Sequence, residues 1–277
     1  MFRVDEIQKE PLHMIPCVNC APGGRRVEYT HLPILQGHAP DLPDGVDAVI
    51  VASDLQAFDT DLVPPPERRL IGLELAEELE LLCELGELPD ASRVGVLLAG
   101  DLYAIPTLDK RGGLGDVERV WEAFAQRFAW VAGVAGNHDS FSGRADFEEI
   151  LLPNNAHLLH GDVVELGGVK FAGISGIVGK SGKPWRVPRQ RWSCLLQKVM
   201  YREPDVLILH QGPQIPEARL GGLDWINEQL EKFDHKPLVI CGHEHWSTPL
   251  ATTRGGHHVL NVDYRCVVLQ SMATART

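Results

Sequence analysis

Apolar positions along the chain alternate between two spacings. "DAVIVAS" (47–53) is a compact β-branched run, the pattern of a strand buried on both faces. In "ERRLIGLELAEELELLCELGEL" (67–88) leucines recur at helical spacing opposite a row of acidic residues, which predicts a surface helix with a solvated charged face. The pattern then repeats as a strand over 93–100, a helix over 116–128 and a strand over 129–136. "DVVELGGVKFAGIS" (162–175) predicts a hairpin turning on Gly-Gly. A helix over 189–201, a strand over 205–210, a helix over 222–233 and a strand over 237–242 follow, and "HHVLNVDYRCVVLQ" predicts two more strands. Residues 1–45, with many Pro, Gly and His and no sustained period, are expected to be an irregular extension with at most one short strand, packed on a core domain of 46–277. Strands alternating with helices, joined by hairpins in the second half, predict an α/β fold with mixed sheets.

Composition narrows the class. The 277 residues can bury a substantial core, and 44% hydrophobic with 23% charged residues is an ordinary globular balance. Net charge is −12, from 26 basic and 38 acidic residues, which disfavours duplex nucleic acid or anionic lipid as partners. A small phosphorylated substrate held by a local positive site remains compatible with it. The six cysteines stand mostly isolated in apolar surroundings, as expected of reduced thiols in the cytoplasm. No secretory signal is expected from "MFRVDEIQKEPLHMIPC", and no run approaches the roughly 18–20 apolar residues of a membrane span.

Chemistry collects where the apolar runs stop. "VIVASDLQ" ends at Asp54 and Gln56, "GVLLAGD" at Asp101, and "WVAGVAGNHD" at Asn137, His138 and Asp139. "VLILH" ends at His210 and "LVICGHEH" at His243 and His245. Ligands of open α/β sheets gather beyond the carboxyl ends of the strands, so these tips are expected to converge. Carboxylates, amides and imidazoles together suit divalent Mn, Fe, Zn, Co or Ni, and the set is too large for one tetrahedral zinc. It suits two ions that share a bridging carboxylate.

The ordered blocks "SDLQ", "GD", "GNHD", "LHQGP" and "GHEH", spread over about residues 46–270, resemble the calcineurin-like metallophosphoesterases. The resemblance implies a two-sheet β-sandwich flanked by helices in four layers, and metal-dependent phosphoester hydrolysis by water activated between two divalent ions. It implies Asp54, Gln56 and His245 as ligands of a first ion, Asn137, His210 and His243 of a second, and Asp101 as the bridge. His138 would stabilise charge or protonate the leaving oxygen, and Asp139 would orient His138; the plain alternative is that Asp139 only caps the turn. The departure is Gln56, where the family usually has His; a neutral amide oxygen predicts a weaker first site that favours Mn. A nuclease acting on DNA or RNA is the alternative activity, and a scaffold whose first site has degenerated is a third reading.

Other features carry less. Lys180, Lys183, Arg186, Arg189 and Arg191 lie in a stretch without acidic residues, and Lys180 and Arg186 are expected to contact an anionic substrate; a solvated basic loop is the plain alternative. "GISGIVGKS" is not a phosphate loop, because Ile174 stands where that motif requires Gly. Cys17 and Cys20 are expected to be structural, since zinc would need two further ligands and a redox pair would need a strand–helix context; the segment could also cover the site's mouth. His157 and His160 are expected at the rim or in structural roles, His257 and His258 on the surface, and Trp246 at the site's edge or in the core.

Overall fold

A computed structural model describes residues 2–21, 26–60, 67–110, 112–142, 150–180, 182 and 185–271. In the strand Ala48–Ser53, Val49 and Val51 enter one apolar cluster while Ala48, Ile50 and Ala52 enter another, as a period of two requires of a strand covered on both faces. Val94–Leu98 and Trp130–Gly133 lie parallel to it in turn, and Ala156–Leu158 follows on the edge. Parallel neighbours need crossovers, and two helices supply them: α1 (Ile71–Glu84) and α2 (Glu118–Arg127). Helix α1 buries Ile71, Leu75, Ala76, Leu79 and Leu82, a single stripe against the sheet. It stops short of the predicted residue 88 because Gly86 turns left-handed at φ +76 and its N–H returns to the Cys83 carbonyl.

A second sheet runs in the order Asp162–Leu166, Val169–Ile174, Val206–Gln211, Leu238–Gly242, His258–Asn261 and Leu250–Thr252. Its hairpin turns on Gly167 and Gly168, both at positive φ (55 and 75), as a two-residue turn matching the strand twist demands. Helices α3 (Arg189–Met200) and α4 (Asp224–Leu230) cover its outer face through Trp192, Leu196, Val199, Ile226 and Leu230. Val49, Val51 and Leu97 of the first sheet meet Phe171, Val206 and Ile208 of the second. The layers are therefore α/β/β/α with mixed sheets, as expected.

The N-terminal segment corrects the expectation of an irregular extension. His13–Cys20 and Val27–His38 form an antiparallel pair, and Val27–His38 also runs parallel to Arg265–Gln270, so both belong to the first sheet. Ile15, Cys17, Leu32 and Ile34 are buried with the core of α1 and α2. Pro16 and Pro33 sit inside these strands and hide the period, because proline weakens any local strand signal. Cys17 and Cys20, three residues apart on a strand, point to opposite faces and form no joint site; both are free thiols. Cys17 Sγ lies 3.2 Å from the Tyr264 hydroxyl instead. His257, expected on the surface, is 1% exposed, and burial pulls it down to about 4. His258 is exposed, His157 and His160 are half-buried, and Trp246 is a core residue whose indole donates to the Gly221 carbonyl at 2.6 Å. Among the described residues no helix is long and apolar enough to cross a membrane.

Ile34→Ala should cost about 2–5 kcal/mol in urea unfolding, the range for emptying a packed core position. A loss below about 0.5 kcal/mol would mean that the N-terminal hairpin lies outside the cooperative core.

Candidate metal centre

Each block of polar residues follows a strand of one sheet or the other. Asp54 succeeds Ala48–Ser53, Asp101 lies three residues past Val94–Leu98, and Asn137 to Asp139 follow Trp130–Gly133. From the opposite sheet, His210 is the penultimate residue of Val206–Gln211, and His243 succeeds Leu238–Gly242. Three of these residues are left-handed although none is glycine: Asp54 and Asp101 at φ 55 and His243 at φ 68. Such φ values are uncommon outside glycine and cluster at functional sites, where surrounding contacts hold the strain.

Asp101 is the centre of the arrangement. Its ligand atom and those of His210 and His243 all lie within 4.8 Å of one another. Asp101 Oδ1 accepts from the His138 backbone N–H at 2.9 Å, and Oδ2 accepts from the Gln56 amide at 2.8 Å. His210 Nε2 stands 3.4 Å from Asp101 Oδ1, and His138 Nε2 stands 3.9 Å from Oδ2. Asp54 Oδ2 accepts from the Ser53 hydroxyl at 2.7 Å and from the His243 N–H at 2.8 Å. His210 Nδ1 lies 2.8 Å from the Ala99 carbonyl, so Nδ1 carries a proton and Nε2 is directed at the cluster.

The glycines of the blocks have a packing reason. A Cβ on Gly136 would strike the Asp101 carboxylate and backbone nitrogen, and one on Gly242 would strike Asp54 and Ser53. Gly100, at φ +91, abuts the Gly136 backbone. The strand tips approach this closely only without side chains between them.

Asp139 serves the backbone, closer to the turn-capping alternative than to a partner of His138. Its carboxylate is fully buried and accepts from the backbone N–H groups of Asp101, Leu102 and Gly136 at 2.8, 2.7 and 2.7 Å. With these donors taken, it clamps two strand tips together and does not orient His138. The His138 ring is held by Gly113, whose N–H and carbonyl lie 3.0 and 3.1 Å from Nδ1, leaving Nε2 towards the cleft.

The electrostatics of the cluster favour added positive charge. Burial, Asp263 and Asp101 raise Asp54 well above the usual carboxylate range, and burial with Asp101 raises Asp139 to about 6. Burial alone would lower His210, yet Asp101 and Asp54 lift it to about 10, while burial and the His210 charge push His243 down to about 4. Burial opposes ionisation of Asp101, but the charges and hydrogen bonds of His210 and His138 keep its carboxyl below the usual range. Protons thus gather where positive charge is required, and cations binding there would displace them. The donor set fits such cations: Asn137 Oδ1 is buried with no hydrogen-bond partner, a costly state unless a ligand meets it, and buried His210 Nε2 has only the Asp101 carboxylate, 3.4 Å away, before it.

His245 lies apart from that inner group. Its side chain is 63% exposed, and Nδ1 is 3.0 Å from Asp263 Oδ2. Lys180 is exposed and Arg186 half-buried; Lys183 lies outside the described residues. A cavity of about 810 Å³ lined by Lys180, Arg189 and Gln211 opens beside the strand that carries His210. Gly113, Trp185 and Asp263 were not among the residues singled out from the sequence. Trp185 donates through Nε1 to the Asp139 carbonyl at 2.8 Å. Only Asp263 had a readable signal, a carboxylate inside the apolar run "VLNVDYRCVVL".

The family profile for calcineurin-like phosphoesterases matches residues 47–247. No curated protein matches the chain. Among solved structures, a dimetal phosphatase from Danio rerio is similar over 79% of this chain and 88% of that one, with 11% identity and a TM-score of 0.49. The calcineurin-like phosphoesterase YfkN from Bacillus subtilis is similar over 78% and 81%, with 13% identity and a TM-score of 0.44. A phosphopantetheinyl hydrolase from Mycobacterium tuberculosis is similar over 79% and 91%, with 14% identity and a TM-score of 0.42.

Gly136→Ala should destabilise the metal-free protein by about 1–3 kcal/mol, as overpacking against fixed atoms does, and should lower its metal content. Thermal unfolding with chelator, together with elemental analysis, measures both; wild-type values in the two would refute the close approach.

Proposed function

The chain belongs to the calcineurin-like phosphoesterase family, hydrolases of ester bonds, and from that premise we propose that it cleaves the phosphate ester of a small molecule at a pair of divalent cations. The observation that carries the reading is the meeting of Asp101, His210 and His243 at the facing ends of two sheets, with the buried Asn137 Oδ1 unpartnered. Asp54, Gln56 and His245 would hold one cation, Asn137, His210 and His243 the other, and Asp101 both. When bound, such a pair supplies polarisation of the phosphoryl oxygens and a water nucleophile at neutral pH. Manganese is the expected ion, because Gln56 offers a neutral oxygen where an imidazole would favour Zn or Fe.

The chain's own groups do the rest. His138, with Nδ1 fixed on Gly113, presents Nε2 to the leaving oxygen, to which it donates a proton or a hydrogen bond. Asp139 keeps Asp101 and Gly136 in register, so the carboxylate and His138 stay aimed at one point. Lys180 and Arg186 would contact the anionic part of the substrate. The net charge of −12 favours a small substrate over nucleic acid, whose backbone needs an extended basic track.

Activity on p-nitrophenyl phosphate and bis(p-nitrophenyl) phosphate, after chelation and reloading with Mn, Fe, Co, Ni or Zn, tests the reading. Asp101→Ala should lose metal and fall by about 10³-fold or more, and His138→Ala should keep its metal and lose about 10²–10⁴-fold in kcat. Wild-type behaviour of both variants would refute the reading. Gln56→His should tighten one of the two sites and move the preference from Mn towards Zn or Fe; an unchanged preference would remove Gln56 from the ligand set.

A further inference from the structure

Asp263 lies just past the strand His258–Asn261 and is 2% exposed. Its backbone forms an isolated bridge with Ser53, the residue before Asp54, so it sits beside the first proposed cation position. Its Oδ2 is 3.0 Å from His245 Nδ1. The residues two before and two after it grip the same loop: Asn261 Nδ2 donates to the Glu244 carbonyl at 3.0 Å, and Arg265 Nη2 donates to the Trp246 carbonyl at 2.7 Å. His245 is thus held by its ring and by both neighbouring peptides, although its side chain is 63% exposed.

An exposed imidazole on a turn has no packing to choose its rotamer. Three ties from one alternating segment, Asn261, Asp263 and Arg265, replace that packing. With Nδ1 engaged by a carboxylate, the proton stays on Nδ1, and Nε2 is the only nitrogen with a free lone pair. The carboxylate also fixes the ring's orientation and so the direction of that lone pair. Neither effect is needed if His245 merely closes the turn.

We infer that Asp263 is a positioning residue that presents His245 Nε2 to the first cation. The inference rests on the two-cation reading above and concerns how its more exposed site is built. Because Gln56 is a weak ligand, the first site depends on His245 more than it would with an imidazole at position 56.

Calorimetric titration of the metal-free full chain with Mn, in wild type, Asp263→Asn, His245→Ala and the double variant, tests it. Wild type should bind two ions. Asp263→Asn should weaken one of them by about 10–100-fold and leave the other unchanged. In the His245→Ala background the same substitution should change nothing further, because its effect passes through the imidazole. Unchanged affinity in Asp263→Asn overturns the inference while the two-cation centre stands, as does an equal loss with and without His245. A wild-type chain that binds no Mn would instead refute the two-cation reading itself. Asp263→Glu, which keeps the acceptor, should recover part of the affinity.

Discussion

Burying several carboxylates in one place is the constraint around which the site is built. Asp54, Asp101, Asp139 and Asp263 are each 3% exposed or less. A desolvated carboxylate is tolerable only when hydrogen-bonded or neutralised, and here the partners come from other strand tips. Asp139 takes three backbone N–H groups, Asp101 takes the His138 N–H, and Asp54 takes that of His243. Apart from the Gly136 bond, which closes Asp139's own turn, each joins a carboxyl on one strand end to the peptide of another. Satisfying the charges and fixing the relative positions of the tips are therefore a single process, and the glycines at 100, 136 and 242 permit the required approach.

The centre also depends on the sandwich being closed. Asp54, Asp101 and Asn137 come from the first sheet, and His210 and His243 from the second, so neither sheet carries a complete set. The apolar layer between them sets their separation. It contains Val51, Leu97, Ile208 and Ile240, whose neighbours along the strands face the outer helices. One hydrogen bond makes the dependence concrete: His210 reaches across the interface to the Ala99 carbonyl, so sheet packing decides which of its nitrogens faces Asp101. Asp263 occupies the equivalent crossing point at the other side of the cluster, on the segment by which the chain leaves the second sheet for the final strand of the first.

The cleft wall is fastened to the same frame. Trp185 binds the Asp139 carbonyl and meets Phe141 edge-on at a centroid distance of 6.3 Å, which ties the basic segment to the loop that carries His138. The basic segment and the His138 loop are thereby placed by neighbouring pieces of backbone, and a change at Trp185 would disturb both.

Local patterning determined much of this protein. The strand–helix alternation, the Gly-Gly hairpin and the polar residues closing each apolar run follow from side-chain period and turn chemistry, which act over a few residues. Three things were decided only in three dimensions. The N-terminal hairpin belongs to the main sheet because residues 34–38 pair with 266–270, a contact too distant in the chain for any window to register and masked locally by proline. Asp139 serves the backbone rather than His138 because the N–H groups of Asp101 and Leu102 arrive from another strand. Asp263 meets His245 because a turn brings residues eighteen apart together, and a hydrogen bond depends on distance in space, to which sequence spacing is blind.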